Sequence, residues 1–259
     1  MRMASTNGFM GDVVIARLKA AAIHLSLSCT AVGLLAGSMW LIWYRPPFLQ
    51  IDGGLHVLRI VVLVDVVLGP LLTFIVFDRA KPGLRRDLLI IATLQVCAFG
   101  YGAGTLYLHR PVFVAAAEAG LYCVNWPDLK KAGGNLAAAE ALARGADGPV
   151  FVHVRLPAAP AERAAMWKSA SAGGSLPIHQ AHRFEAMTLD RWDALLRADT
   201  RVDDLAKNDP DIASELARVR STHAALPAAL MAFVPMSCRY GLVLMVFDRQ
   251  TRGLIDWMN

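Results

Sequence analysis

Residues 55–77 read LHVLRIVVLVDVVLGPLLTFIVF, a stretch that is long and apolar enough to cross a bilayer as one helix. It also contains an aspartate near its middle, Asp65, and the pair Gly69-Pro70. A carboxylate at bilayer depth is costly, so such a group usually faces other helices, a partner or a water-filled cavity. Pro70 lacks a backbone N–H and tends to bend a helix one turn upstream, which favours a packing kink over a moving hinge.

Composition divides the chain into two parts. Of its 259 residues, 56% are hydrophobic and 18% are charged, which is too apolar for an ordinary soluble domain. The apolar residues concentrate before residue 110, and the remainder has the composition of a globular sequence. We therefore predict a membrane domain over residues 1–109 and a soluble domain over residues 110–259. The net charge of +5 is modest, and membrane orientation explains part of it, so we expect no nucleic-acid partner.

Two further apolar stretches predict a bundle of three transmembrane helices. Residues 20–43 follow a polar segment, 1–19, and their length argues against a cleaved signal peptide. Residues 88–108 contain Gln95 as their one strongly polar residue, and three glycines at 100, 102 and 104 allow another helix to approach closely. The predicted spans are therefore about 20–43, 55–77 and 88–108.

Basic residues predict the orientation of these spans. They concentrate in the N-terminal segment and in the loop between the second and third spans, where they also meet lipid headgroups. The positive-inside rule places both regions in the cytoplasm. The chain after about residue 109 is therefore expected on the periplasmic side of a bacterial inner membrane. The orienting residues are Arg17, Lys19, Arg79, Lys81, Arg85 and Arg86.

The second part of the chain carries the patterns of a small α/β domain. Residues 150–156, VFVHVRL, alternate as a half-buried strand does. A strand-like run covers 112–124, and Asp209-Pro210 is typical of a helix start. Strands are also predicted at 228–234, 241–248 and 253–258. The predicted fold is a three-helix transmembrane bundle followed by a small periplasmic α/β (α+β) domain that ends in an antiparallel sheet.

The four cysteines point to structural roles. No CxxC pair is present, which argues against a thiol-redox enzyme or a zinc ribbon. Cys123 and Cys238 both lie on the predicted oxidising side, in or beside predicted strands. The compartment permits a disulfide between them, and the sequence alone leaves its geometry open. Cys29 and Cys97 lie within spans and are interpreted as packing residues.

Several motifs at fixed spacing resemble one known family. The first span begins with AAIHLSLS at 21–28 and is followed by WYRPP at 43–47 and IDGG at 51–54. The segment VDVVLGPLLTFIVFDRAKPGLRRDL at 64–88 and the third span with Gln95 complete the pattern. Together they resemble the type IV pilin accessory proteins of the TfpX/TfpZ group. The resemblance is close over residues 15–112 and looser in the soluble part.

The resemblance implies an inner-membrane protein that acts on a cognate type IV major pilin before or during pilus assembly. Members of this family look like chaperone-like stabilisers of pilin or modulators of assembly rather than catalysts. The implied partners are the major pilin, other pilus assembly components and membrane lipids. This chain departs from the family where an Asp-Arg-Phe segment typically follows the third span, because it carries Glu118 to Tyr122 there.

Asp65, Gly69, Pro70 and Gln95 form the candidate partner-binding set. One interpretation of Asp65 is a polar clip within the bundle, bonded to Gln95 or to another donor, as is common between spans. The other is that Asp65 faces a groove that receives the apolar helix of the pilin. The sequence leaves both interpretations open.

Two other function classes remain as alternatives. The chain could be a membrane enzyme that modifies the pilin or a lipid-linked substrate, or a periplasmic sensing module that acts through a partner. We find no nucleophile–base pair, phosphate loop or metal-ligand set, so we expect no catalytic activity, no cofactor and no metal. His179 and His182 form an HxxH pair, but a metal site needs further ligands.

Overall fold

A computed structural model describes residues 4–118, 120–198 and 200–258. Residues 1–3 of the predicted N-terminal segment therefore lie outside the described residues. The chain forms two compact units, which span Met1–Leu41 with Gly54–Tyr107 and Ile42–Gly53 with Leu108–Asn259. The segment Ile42–Gly53, which we assigned to the membrane domain, thus groups with the second unit.

The first unit consists of three helices that are long and apolar enough to cross a membrane: Gly11–Trp43, Gly54–Val76 and Leu84–Leu108. The prediction of three membrane helices followed by a mixed domain is confirmed. The helix before the first loop starts within the segment that we predicted as a polar tail, because α1 covers Ala4–Ser38 and continues as a π-helical turn, Met39–Trp43. The third span is one helix, α5, Leu84–Leu108.

The second span contains a π-helical segment where we predicted a kink. It runs as α3 (Gly54–Val62), a π-helical segment (Leu63–Leu68) and α4 (Gly69–Val76). The backbone N–H of Gly69 donates to the carbonyl of Val64, five residues earlier. A proline has no N–H, and its ring would clash with the carbonyl four residues before it. The wider π-helical turn just before Pro70 accommodates both constraints, and such turns are frequent at functional sites.

Glycines set the distance between the second and third spans at two places. A Cβ atom added to Gly102 would lie 2.5 Å from Cγ2 of Val61. A Cβ atom added to Gly69 would lie 1.9 Å from Nε2 of Gln95. The neighbouring Gly100 and Gly104 have no such contact within 4 Å. Of the three glycines in α5, Gly102 is therefore the one that the packing requires.

The second unit is built on a seven-stranded mixed sheet in the order β4-β3-β1-β2-β5-β6-β7. The pairs β1/β3 and β2/β5 are parallel, and the other neighbours are antiparallel, including the C-terminal strands. The strands are β1 (Phe113–Ala117), β2 (Gly120–Val124), β3 (Val150–Val154), β4 (Phe184–Ala186), β5 (Met231–Ser237), β6 (Leu242–Asp248) and β7 (Leu254–Met258).

The run that we predicted as one strand over 112–124 is a hairpin. Strand β1 is buried along its whole length and pairs with β2 so that Ala117 faces Gly120. Glu118 adopts a positive φ of 54° at the turn, a conformation that interrupts an extended chain. The small side chains Ala115 to Ala117 fit the crowded centre of the sheet, although alanine is a poor strand former by propensity.

Helices cover the sheet and fill two hydrophobic clusters. One cluster surrounds Phe113, Leu129 and Val152, and the other surrounds Val219, Phe233 and Val246. Asp209 caps the last long helix by accepting from the backbone N–H groups of Asp211 and Ile212, as its sequence predicts. The helices are α2 (Phe48–Ile51), α6 (Trp126–Ala132), α7 (Ala137–Ala143), α8 (Pro160–Ser171), α9 (Leu189–Arg197), α10 (Val202–Ala206) and α11 (Pro210–Thr222).

Arginine side chains donate hydrogen bonds to backbone carbonyls on both edge strands of the sheet. Arg191 donates to the carbonyl of Ala186 in β4 at 2.6 Å. Arg218 donates to the carbonyl of Trp257 in β7 at 2.7 Å and also pairs with Asp256 at 3.0 Å. Such charged groups protect edge strands from pairing with another chain.

Replacing Gly102 with alanine is expected to destabilise the membrane unit. The new Cβ would lie 2.5 Å from the branched side chain of Val61, which has little freedom to move. Overpacking costs roughly 1–3 kcal/mol, more than the ~0.5–1 kcal/mol gained by removing a helical glycine. The thermal unfolding midpoint of the full chain in detergent measures the effect. The matched control is Gly100→Ala, which we expect to leave the midpoint unchanged or slightly higher; equal midpoints for the two variants would contradict the packing.

Candidate functional site

Polar side chains from all three spans form a hydrogen-bonded chain inside the membrane unit. The Nε2 amide group of Gln95 in α5 donates to the carbonyl of Val64 at 3.2 Å. The Oε1 atom of Gln95 bonds to Nε2 of His24 in α1. The Nδ1 atom of His24 lies 2.6 Å from the hydroxyl oxygen of Thr73 in α4. These bonds connect α1, the π-helical segment with α4, and α5.

The direction of each bond follows from the Gln95 amide. Because Nε2 donates to the carbonyl of Val64, Oε1 is the acceptor toward His24. Nε2 of His24 therefore donates to Gln95, and Nδ1 of His24 forms the bond to the Thr73 hydroxyl. The chain runs from Thr73 through His24 and Gln95 to Val64, and each of these polar side chains is bonded to another member.

Asp65 lies beside this chain of hydrogen bonds, but no member of it bonds to the Oδ2 atom of Asp65. The residue is 5% exposed, and its Oδ2 atom has no hydrogen-bond partner among the described residues. Within that part of the chain, the bonds of Gln95 go to His24 and Val64. The clip that we predicted between Asp65 and Gln95 is therefore absent from the described residues. A buried polar atom without a partner is rare and calls for a physical explanation.

A cavity of about 250 Å³ has Asp65 in its lining. His24, Ser28, Asp65 and Gln95 contribute its polar lining, and Leu27 and Val96 are among its apolar residues. The latter two are exposed on the surface of the unit, at 66% and 72%. The cavity therefore lies between α1 and α5 and is bordered by side chains that a bilayer would cover.

Gly69 and Pro70 shape the site without contributing polar side chains. The position of Gly69 leaves room for the Gln95 amide, which a methyl group there would displace. Pro70 accounts for the π-helical segment that contains Asp65 and Val64. We infer that both residues position the site rather than contact a ligand.

The predicted orienting residues differ in their contacts. Arg17 donates from Nε to the carbonyl of Phe77 at 2.8 Å and lies 3.7 Å from Asp78, so it caps the end of α4. Lys81 pairs with Asp87 at 2.5 Å. Five residues are exposed on the surface of the unit: Lys19, Arg79, Lys81, Arg85 and Arg86.

In the second unit, Cys123 and Cys238 form a disulfide with their Cα atoms 4.8 Å apart. The bond joins β2 to the residue that follows β5 and closes a sequence separation of 115 residues. Cys29 and Cys97 are free and exposed on the surface of the membrane unit.

The turn after Cys238 holds the segment Ile42–Gly53. The backbone N–H of Tyr240 donates to the carbonyl of Ile51 at 2.9 Å, and that of Arg239 approaches Oδ1 of Asp52 at 3.5 Å. Burial raises the pKa of Asp52 from 3.8 to about 7, although the N–H and charge of Arg239 oppose the rise. A neutral or partly neutral carboxyl is therefore expected here near physiological pH.

Asp52, Cys123 and Cys238 are the one group of three potential metal ligands found within the described residues. Because the two sulfurs are bonded to each other, they are not thiolate ligands in this state. His179 is partly buried and burial lowers its pKa, whereas His182 is exposed. The HxxH pair thus faces two different environments.

Comparison with known proteins places the chain in a family. It is 39% identical over 99 residues to the fimbrial assembly protein of serogroups C1 and C2 of Dichelobacter nodosus, a match that covers 37% of this chain and 75% of that relative. The serogroup I protein of the same organism is 39% identical and the serogroup E1 protein 37% identical over 99 residues. The chain therefore belongs to this family of fimbrial assembly proteins.

The chain matches only 38% of the length of the serogroup I and E1 relatives. No protein-family profile and no solved structure matches it. The pilus-related family that the sequence motifs indicate is thus confirmed at this level, and the TfpX/TfpZ assignment stays a prediction.

Sequence reasoning missed His24, Thr73 and Asp52 as members of these sites. His24 and Asp52 occur in the quoted motifs AAIHLSLS and IDGG, but we did not name them as candidate site residues. A histidine and a threonine within apolar spans that also contain Gln95 are the signal that was available. Their sequence separations of 49 and 71 residues explain why no local pattern joined them.

A double-mutant cycle tests the contact between Gly69 and Gln95. Gly69→Ala is expected to lower the free energy of unfolding by roughly 1–2 kcal/mol, because the new methyl displaces an amide that holds two hydrogen bonds. In a Gln95→Ala background the same change should be nearly neutral, since the displaced atoms are absent. Unfolding of the four proteins in detergent gives the coupling. Additive effects would contradict the contact.

The stability of the second unit should depend on pH through Asp52. The folded state raises the pKa of Asp52 to about 7, so it holds the proton more tightly than the unfolded chain does. The free energy of unfolding therefore falls as pH rises from about 4 to about 7, by at most about 4 kcal/mol. Denaturant titrations of the full chain and of Asp52→Asn across this range measure the difference, which should disappear in the variant.

The comparison with Asp52→Asn is needed because burial also lowers the pKa values of His153 and His179. Those groups act in the opposite direction in the same pH range, and they are present in both proteins. Asp190→Asn, at an exposed position, is the matched control and should keep the wild-type pH dependence. A wild-type slope in Asp52→Asn would show that Asp52 does not titrate in this range.

Proposed function

We propose that this chain is an inner-membrane accessory protein of the TfpX/TfpZ kind, which stabilises a cognate type IV major pilin and modulates pilus assembly. The observation that carries the proposal is an unfinished polar site inside a three-helix membrane unit, in a chain that belongs to a family of fimbrial assembly proteins. Its partners are the major pilin, other pilus assembly components and membrane lipids.

The arrangement of the chain supports this role. A pilin subunit waits in the membrane on one long apolar helix, with its globular head in the periplasm. The three apolar helices offer contacts at the level of the pilin helix, and the seven-stranded sheet belongs to a domain of suitable size for the head. The proposed role is binding rather than catalysis.

Two observations support an N-terminus in the cytoplasm and a C-terminal domain in the periplasm. Exposed basic residues flank the first and third spans on the side predicted to be cytoplasmic, as the positive-inside rule requires. The Cys123–Cys238 disulfide fits an oxidising compartment such as the periplasm.

Deleting the gene for this protein in the bacterium that carries it should lower the amount of pilin and the number of surface pili. Immunoblots of membranes and electron microscopy measure these quantities, and the full chain supplied in trans should restore both. Pilin should also co-purify with the full chain from detergent extracts. Unchanged pilin and unchanged piliation in the deletion strain would contradict the proposed function.

A further inference from the structure

We infer that Asp65 accepts a hydrogen bond from a donor side chain on the apolar helix of the pilin, which enters the cavity between α1 and α5 from the lipid side. The inference rests on the proposed function and names the chemistry by which the membrane unit recognises its partner. It assigns recognition to Asp65 and positioning roles to His24, Thr73 and Gln95.

The first step is the missing partner. In hydrocarbon, a buried carboxylate needs other polar groups around it, and an unsatisfied oxygen is costly. Three polar side chains of the bundle, Thr73, His24 and Gln95, are already bonded to each other. Oδ2 of Asp65 is left without a partner among the described residues, although the residue is only 5% exposed.

The second step is the available space. The cavity has a volume of about 250 Å³, several times the ~30 Å³ that one water molecule occupies in the liquid. Apart from four polar residues, His24, Ser28, Asp65 and Gln95, its lining is apolar, so a cluster of waters would face mostly hydrocarbon side chains. The end of a side chain with an apolar stem fits both the size and the lining.

The third step is the chemistry of the occupant. The Oδ2 atom of Asp65 is available as an acceptor, so a complementary partner carries a hydroxyl, amide or ammonium group. The rest of the occupant must be apolar, because the rim residues Leu27 and Val96 lie on the surface that the bilayer covers. At this depth in the bilayer, a single segment can satisfy its own backbone hydrogen bonds only as a helix. This favours a guest helix with one donor side chain.

The fourth step explains why Asp65 is free to bind. The bonds from Thr73 to His24 and from His24 to Gln95 connect all three spans around the cavity. The second bond of Gln95, to Val64, holds α5 against the residue next to Asp65. The cavity is therefore prepared before the guest arrives, which reduces the entropy cost of binding.

In-membrane photo-crosslinking tests the inference in the full chain with the pilin present. A photo-crosslinking residue in place of Val96, at the cavity rim, is expected to form an adduct with the pilin. The matched control is Leu94, which is 64% exposed on the same helix and lies about 160° away around its axis. Peptide mapping of the adduct should identify the apolar helix of the pilin at a residue near a donor side chain.

Asp65→Leu is expected to lower the adduct at Val96 by roughly threefold to tenfold, the range for one hydrogen bond between membrane helices. Asp65→Asn keeps an acceptor oxygen and should retain more of the adduct than Asp65→Leu. Equal loss in the two variants, or no loss in Asp65→Leu, would overturn the inference. Amounts of each variant in the membrane are measured in parallel, so that adducts are compared per folded chain.

A second variant keeps Asp65 and fills the cavity. Ala31→Leu adds bulk at a lining position and should lower the adduct while leaving the carboxylate intact. Ala22→Leu, at an exposed position on the opposite face of α1, is the control and should leave the adduct unchanged. If Asp65→Leu also disturbs folding, Ala31→Leu still decides the question.

The outcomes separate the inference from the proposed function. Pilin that co-purifies with the full chain but forms no adduct at Val96 would overturn the inference alone. An adduct at Val96 only with a second copy of this chain would do the same, because the cavity would then be a self-contact. Pilin that neither co-purifies nor changes in the deletion strain would overturn the proposed function.

Discussion

The hydrogen bond from the Gln95 amide to the carbonyl of Val64 is the contact on which the membrane unit depends. It exists because the second span widens into a π-helical segment before Pro70, where the Val64 carbonyl also accepts from Gly69 five residues later. It also requires Gly69 to lack a side chain, since a methyl group there would displace the amide. The motif Asp65…Gly69-Pro70 and the distant Gln95 therefore act together to form this one contact. Proline shapes the backbone, glycine makes space, and glutamine crosses that space.

This contact fixes the rest of the polar chain through the chemistry of an amide. Once Nε2 of Gln95 donates to Val64, its oxygen can only accept, so Nε2 of His24 donates to it. In a bilayer, where the hydrophobic effect does not hold helices together, such bonds and close packing supply the specificity of association. Gly102 against Val61 provides the corresponding close contact nearer the other end of α5.

The sequence predicts the architecture well because membrane helices obey a strong local constraint. Every backbone polar group must be satisfied within the segment, so length and hydropathy locate the second and third spans within a few residues, whereas the first begins at Gly11 instead of residue 20. The chemistry of the site follows less directly. Asp65 and Gln95 stand out as polar residues in apolar spans, but the pairing of Gln95 with His24 depends on how α1 and α5 face each other. In the second unit, the sequence did not reveal the turn at Glu118 that divides the predicted strand. Ala115 to Ala117 carry little strand signal, and pairing with β2 decides their conformation.

Asp52 and Asp65 are both buried, and the contrast between them bears on function. Asp52 is 8% exposed and is approached by the backbone N–H and the charge of Arg239, beside a disulfide that ties down the same turn. Arg239 thus stabilises the Asp52 carboxylate, although burial still raises the pKa of Asp52. Asp65 is buried to a similar extent and lines a cavity, yet its Oδ2 atom has no donor within the described residues. A group needed only for packing could be an asparagine or a leucine at lower cost in hydrocarbon. The carboxylate is better explained by a partner that brings the donor, which is the relation expected between an assembly protein and the helix it handles.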